Sequence, residues 1–138
     1  MANLRTTATG YVTYRGREGQ VNYLLHRFTG LGTLLFLTIH ILDTSTVYFF
    51  PSLYDHAIAL YRNTWFGLGE IVLVFCVIFH GVNGLRIAAF DMFWPKYWNI
   101  PDERASARWT LGISLVLFIP AAVIMLLHIL QNNFGLAL

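Results

Sequence analysis

Three long apolar runs constrain this chain more than any other feature. They cover about residues 23–50, 64–90 and 109–130. Each exceeds the ~20 residues that a helix needs to cross the hydrocarbon core of a bilayer. They predict three transmembrane helices. With 57% hydrophobic and 12% charged residues in 138, the chain has too little charge for an ordinary soluble domain. The expected fold is an all-α membrane domain over 21–138, preceded by a polar arm over 1–20.

Charge gives the expected orientation. Arg5, Arg15, Arg17 and Arg27 precede or open the first span, and Arg86, Lys96, Arg104 and Arg108 lie between the second and third. The first loop has only Arg62, and the C-terminal tail has no cation. The positive-inside rule then puts the N-terminus and second loop inside and the C-terminus outside. A net charge of +2 does not suggest nucleic-acid binding. Cys76 is alone, so no intrachain disulfide forms. Met1–Gln20 has no apolar core of the secretory type. Residues 1–20 read either as an extended arm or short interfacial segment that covers a partner at the membrane surface, with Tyr11, Tyr14, Arg15 and Arg17 as contact points, or as a mobile tail. Residues 51–63 read as a loop in which a short helix is possible, with His56 exposed. Residues 95–108 read as a turn-rich loop. The third span has Pro120 at its middle, where a kink is expected. Its Ser114 and His128 are isolated, so it reads as a packing and lipid-facing helix.

The chemistry lies in the first two spans. His26, Thr29, Gly30, Thr33, His40, Asp43 and Thr44 recur at helical spacing in the first. Glu70, Cys76, His80, Asn83 and Gly84 mark the second. A histidine in an apolar span must be hydrogen-bonded, paired or metal-bound. Gly84, one turn beyond His80, leaves room for a flat ligand, and Arg86 lies ~9 Å along the axis, within reach of that ligand's carboxylate. A b-type haem has these features. A core histidine bonded to a neighbouring helix fits the same residues. His26 and Arg27, with Thr29 and Gly30, offer donors to a quinone carbonyl or a propionate, although Arg27 also suits an interfacial anchor. His40 is ~21 Å further along than His26, and His80 is ~9 Å from Arg86, so His40 and His80 differ in depth by ~12 Å. They do not share one iron. Two haems, or one ligand among the two, are the alternatives, with another subunit supplying the second imidazole. Asp43 and Glu70 read as neutral interhelical contacts or as part of a proton route from outside.

His26-Arg27-Phe28-Thr29-Gly30 resembles the HR-x-[ST]-G motif of the cytochrome b subunit of succinate dehydrogenase. His80-Gly81-Val82-Asn83-Gly84-Leu85-Arg86, with Asp91, resembles that family's H-x-x-x-G-[IL]-R-x-x-x-x-D motif. The two stand in order in the first and second of three spans, and the resemblance covers about residues 20–98. Tyr14-Arg15-Gly16-Arg17-Glu18-Gly19 and His40-Ile41-Leu42-Asp43 resemble an actinobacterial, Thermus-like prokaryotic branch. The resemblance implies half of a two-subunit membrane anchor of complex II in a prokaryotic cytoplasmic membrane. Its partners would be a second small anchor subunit, an iron–sulfur subunit, a flavoprotein subunit, quinone and lipid. The chain would not itself oxidise succinate. It would hold haem b and help build a quinone-reducing site, with menaquinone favoured by the branch. His80 matches the family's haem ligand, Arg27 a quinone-site arginine, and His26 its neighbour near the propionates, with Arg86 in the same vicinity. Tyr23 stands where the family often has a quinone-contacting serine. His40 resembles the first-span ligand of the two-haem branch. The alternatives are the anchor of a fumarate reductase, working in the opposite direction, and a haem-free scaffold.

Overall fold

The computed structural model describes residues 9–10, 17–97 and 99–135. The proposed contact points Tyr11, Tyr14 and Arg15 lie outside the described residues. Four α-helices and one 3-10 turn follow one another, with no strand among the described residues. Helix α1 spans Arg17–Phe49, α2 Pro51–Tyr61, α3 Thr64–Met92 and α4 Ile100–Phe134, with the turn at Pro95–Tyr97. Three segments are long and apolar enough to cross a membrane: Glu18–Phe49, Thr64–Met92 and Pro101–Asn133. The expected three-span, all-α architecture is therefore present.

Local chemistry sets the boundaries. Phe50 precedes Pro51, which disfavours helical geometry at that residue, so α1 stops at Phe49. Pro51 then opens α2, where its missing N–H costs nothing. The segment read as a loop over 51–63 is thus mostly helix. Asn63 caps α3, its Oδ1 accepting from Trp65 N at 3.2 Å, and satisfies one orphan donor of the first turn. Asn99 caps α4 in the same way, accepting from Asp102 N at 3.0 Å. Pro101 and the acidic Asp102 and Glu103 in the first turn favour a helix start there. Consequently α4 begins at Ile100 and not near 109, and most of the turn-rich segment 95–108 is helical. Helix α4 runs unbroken through Pro120. Gly135 ends α4 at φ 64°, a left-handed conformation that glycine adopts without steric cost.

Helix α3 is central, packed on α1 along one side and α4 along the other, while α1 and α4 meet over a shorter stretch. Its contacts are close where one partner is a glycine. A Cβ at Gly32 of α1 would lie 2.8 Å from Cys76 Sγ, and one at Gly67 of α3 would lie 2.8 Å from Ile129 Cδ1 of α4. Such small-residue contacts let helices approach in lipid, where no hydrophobic force drives them together. The interior is accordingly more polar than the exterior. Asn22, Thr29, Asn83, Thr110 and Ser114 are buried, as are Phe79 and Ala107. Leucine, isoleucine, valine and phenylalanine side chains cover the outside. Ala107, Thr110 and Ser114 form a small-residue face on α4, so Ser114 is part of a packed seam and not isolated. Thr29, Thr33, Thr38 and Thr44 donate to carbonyls of their own helix. These α1 hydroxyls, Thr29, Thr33 and Thr44 of the polar stripe among them, need no partner across the bundle.

Candidate functional site

Helices α1 and α3 bring two imidazoles together. The rings of His26 and His80 are stacked, 4.2 Å between centroids and 7° from parallel. Each ring faces a glycine of the opposite helix. A Cβ at Gly30 would lie 2.9 Å from His80 Cε1, and one at Gly84 would lie 3.8 Å from His26 Cε1. The space at Gly84, assigned from sequence to a flat ligand beside His80, borders the His26 ring. The glycine that His80 requires is Gly30.

A backbone carbonyl holds the His80 ring. His80 Nδ1 lies 3.2 Å from the His26 carbonyl oxygen. A carbonyl only accepts, so this contact puts the proton on Nδ1 and leaves the Nε2 lone pair free. Thr29 Oγ1 reaches the same carbonyl at 3.2 Å and the Leu25 carbonyl at 2.7 Å. His26 Nδ1 is buried without a hydrogen-bond partner.

Polar contacts continue towards the start of α4. Asn22 Nδ2 donates to Asn83 Oδ1 at 2.7 Å, and both residues are buried. Arg86 Nη1 donates to Ser106 Oγ at 2.9 Å, which donates to the Glu103 carbonyl at 3.0 Å. Arg86 Nε is buried and unpartnered. The Glu103 carboxylate lies over Gly19, its Oε1 being 3.2 Å from where a Cβ would stand. Arg108 and Glu18 form an ion pair at 3.2 Å, exposed enough to contribute little to stability. Asn22 and Ser106 were not recognised from sequence. Asn22 lies just before the first apolar run, and Ser106 in a segment read as loop. The signal available for Asn22 was its position one turn before His26.

Tyr23 and Arg27 lie on an exposed face. Arg27 Nη1 donates to the Tyr23 hydroxyl at 2.7 Å, and the guanidinium carbon is 5.5 Å from the ring centroid. Within this chain the pair is separate from the His26–His80 stack. His40 is elsewhere again, ten residues beyond Gly30, or ~15 Å along the helix. It lines a cleft of about 600 Å³ with Asp43, Tyr54, Tyr61, Phe66 and Glu70. Its ring stacks on Phe36, 5.4 Å between centroids. The Asp43 carboxylate accepts from the Tyr61 hydroxyl, and no hydrogen bond secures His40 among the described residues. Among those residues no group of three or more His, Cys, Asp and Glu side chains is placed to hold a metal ion.

The model of the succinate dehydrogenase/fumarate reductase transmembrane subunit matches residues 1–121. The chain belongs to that family. It is also 32% identical over 120 residues to the "Succinate dehydrogenase 2 membrane subunit SdhC" of Mycobacterium tuberculosis, covering 86% of this chain and 85% of the relative. As a transmembrane subunit of this family, the chain is a multi-pass membrane component of an electron-transporting enzyme complex. It is not the subunit that turns over succinate. The two motif stretches pack against each other, His26 and Gly30 from one motif lying directly on His80 and Gly84 from the other.

Proposed function

We propose that this chain is the haem b-binding half of the anchor of a succinate:quinone oxidoreductase, with His80 as an axial ligand. The hydrogen bond from His80 Nδ1 to the His26 carbonyl carries the reading. Haem-ligating histidines donate their second ring N–H to such an acceptor, which fixes the tautomer and aims the other nitrogen. The neighbouring residues also fit the group. His26 Nδ1 and Arg86 Nε are buried polar atoms with no hydrogen-bond partner among the described residues, and Arg86 offers a fixed cation to a propionate. When bound, haem b supplies a one-electron relay. A second imidazole for the iron would have to come from the second small anchor subunit.

Tyr23 and Arg27 support a quinone contact at the subunit boundary. Their outward position makes the pocket a shared one, in which Arg27 donates to a quinone carbonyl and Tyr23 orients the guanidinium. Electrons reach this pocket from the iron–sulfur subunit, fed by the flavoprotein. Menaquinone is the quinone that the branch resemblance favours. The same residues serve quinol oxidation if the complex works as a fumarate reductase.

A second haem at His40 is the lesser reading. The size of the cleft beside His40 favours it, and the lack of an orienting hydrogen bond on that ring speaks against it.

The deciding experiment is the absorption spectrum of the purified complex, with and without His80→Leu. A bis-imidazole haem spectrum lost on substitution supports the proposal. Its retention in assembled His80→Leu complex removes His80 as ligand, and its absence from the native complex leaves the haem-free scaffold.

A further inference from the structure

We infer that Asn22 and Asn83 are positioning residues that set the register of α1 against α3, and through it the orientation of the His80 ring. This rests on the reading of His80 as a haem ligand. The pair lies between the two helices that carry the stacked imidazoles. Asn22 is one turn before His26, and Asn83 is three residues after His80. Asn22 is 2% exposed and Asn83 1%, and their side-chain amides meet at 2.7 Å.

Dispersion between apolar helix faces is nondirectional, so neighbouring registers differ little in energy. A buried amide pair behaves differently. Its amide–amide hydrogen bond forms in one register and is broken in the others, which is how a single buried asparagine selects an alignment in coiled coils. The site needs that selection. The next register that keeps the same faces in contact lies one turn away, ~5.4 Å along the helix. Gly30 would then no longer face His80, and the residues one turn from it on that face, His26 and Thr33, carry side chains where the ring now lies close to Gly30. The His26 carbonyl that holds His80 Nδ1 would shift by the same amount. Asn22 Oδ1 remains without a partner. That is poor design for simple interhelical adhesion, which two apolar side chains would provide without an unpaired acceptor.

The test uses the assembled complex with its native partners, comparing Asn22→Leu, Asn83→Leu and the double Leu variant. Readouts are haem per flavin, the low-temperature EPR spectrum of the ferric haem and its midpoint potential. EPR reports the relative orientation of the two axial imidazole planes, which a merely adhesive contact does not control. Each single variant should hold haem about 10-fold more weakly, the scale seen when an outer partner of a metal ligand is removed. The double variant leaves no amide unpaired, so it should assemble at least as well as either single variant, yet keep an altered EPR spectrum and a shifted potential. A double variant that assembles with native EPR spectrum and potential overturns the inference. His80→Leu serves as the separate control. If it retains the full haem spectrum, the ligand assignment fails, whatever the asparagine variants show.

Discussion

His80 lies against the backbone of Gly30, so closely that a methyl group there would stand 2.9 Å from its Cε1. That is tighter than a carbon–carbon contact allows. Gly84 stands in the same relation to His26, but at 3.8 Å, an ordinary van der Waals distance. The two glycines are therefore unequal. Gly30→Ala should displace the His80 ring and reduce haem retention by about 10-fold or more, whereas Gly84→Ala should assemble with near-native haem content. Haem quantitation against flavin in the two purified variants checks this. Equal behaviour of the two would contradict the geometry.

Arg27→Leu removes the guanidinium that Tyr23 holds at 2.7 Å. A charged hydrogen bond contributes about 1.5–3 kcal/mol, so quinone reduction should fall roughly 10-fold or more. Succinate oxidation with a soluble acceptor should persist, since that chemistry lies in another subunit. Tyr23→Phe should show a smaller loss, through KM for quinone. Steady-state rates with the two acceptors separate these outcomes.

His40→Leu should leave haem content at about one per flavin if His80 is this chain's sole ligand. A fall from two to one instead assigns His40 to a second haem. Haemochrome absorbance and flavin fluorescence on the same sample give the ratio.

Asn99→Ala removes the cap of α4, whose Oδ1 accepts from Asp102 N at 3.0 Å. It should destabilise the helix start by about 1 kcal/mol. The midpoint of unfolding in mixed detergent should drop while the haem spectrum of the folded complex stays native. A spectral change would mean that the α4 start, through Ser106 and Arg86, reaches the haem pocket.

The three spans were legible because length and hydropathy decide them directly. His80 and His26 were legible as motif residues, but their contact was not. Depth along one helix can be counted from sequence, whereas the alignment between helices depends on side chains that meet across the interface. Asn22 shows the same limit, since its polarity marks it as outside the apolar run, while its amide is buried by α3. The start of α4 was missed for a different reason. Arg104 and Arg108 lower the hydropathy there, although Asn99 and Pro101 together spell a helix N-terminus. The face of Ala107, Thr110 and Ser114 went unseen because a search for polarity passes over alanine.

The paired arrangement of histidine on one helix and glycine on the other has an evolutionary consequence. Positions 30 and 80 are not free to drift one at a time. A lineage that keeps His80 must also keep Gly30, even if it abandons His26. One that loses His80 is released at position 30 and can acquire a side chain there, whereas position 84 tolerates a methyl group in either case. Descendants that keep His80 should therefore keep glycine at residue 30, and variation at residue 30 should be confined to those that have lost His80.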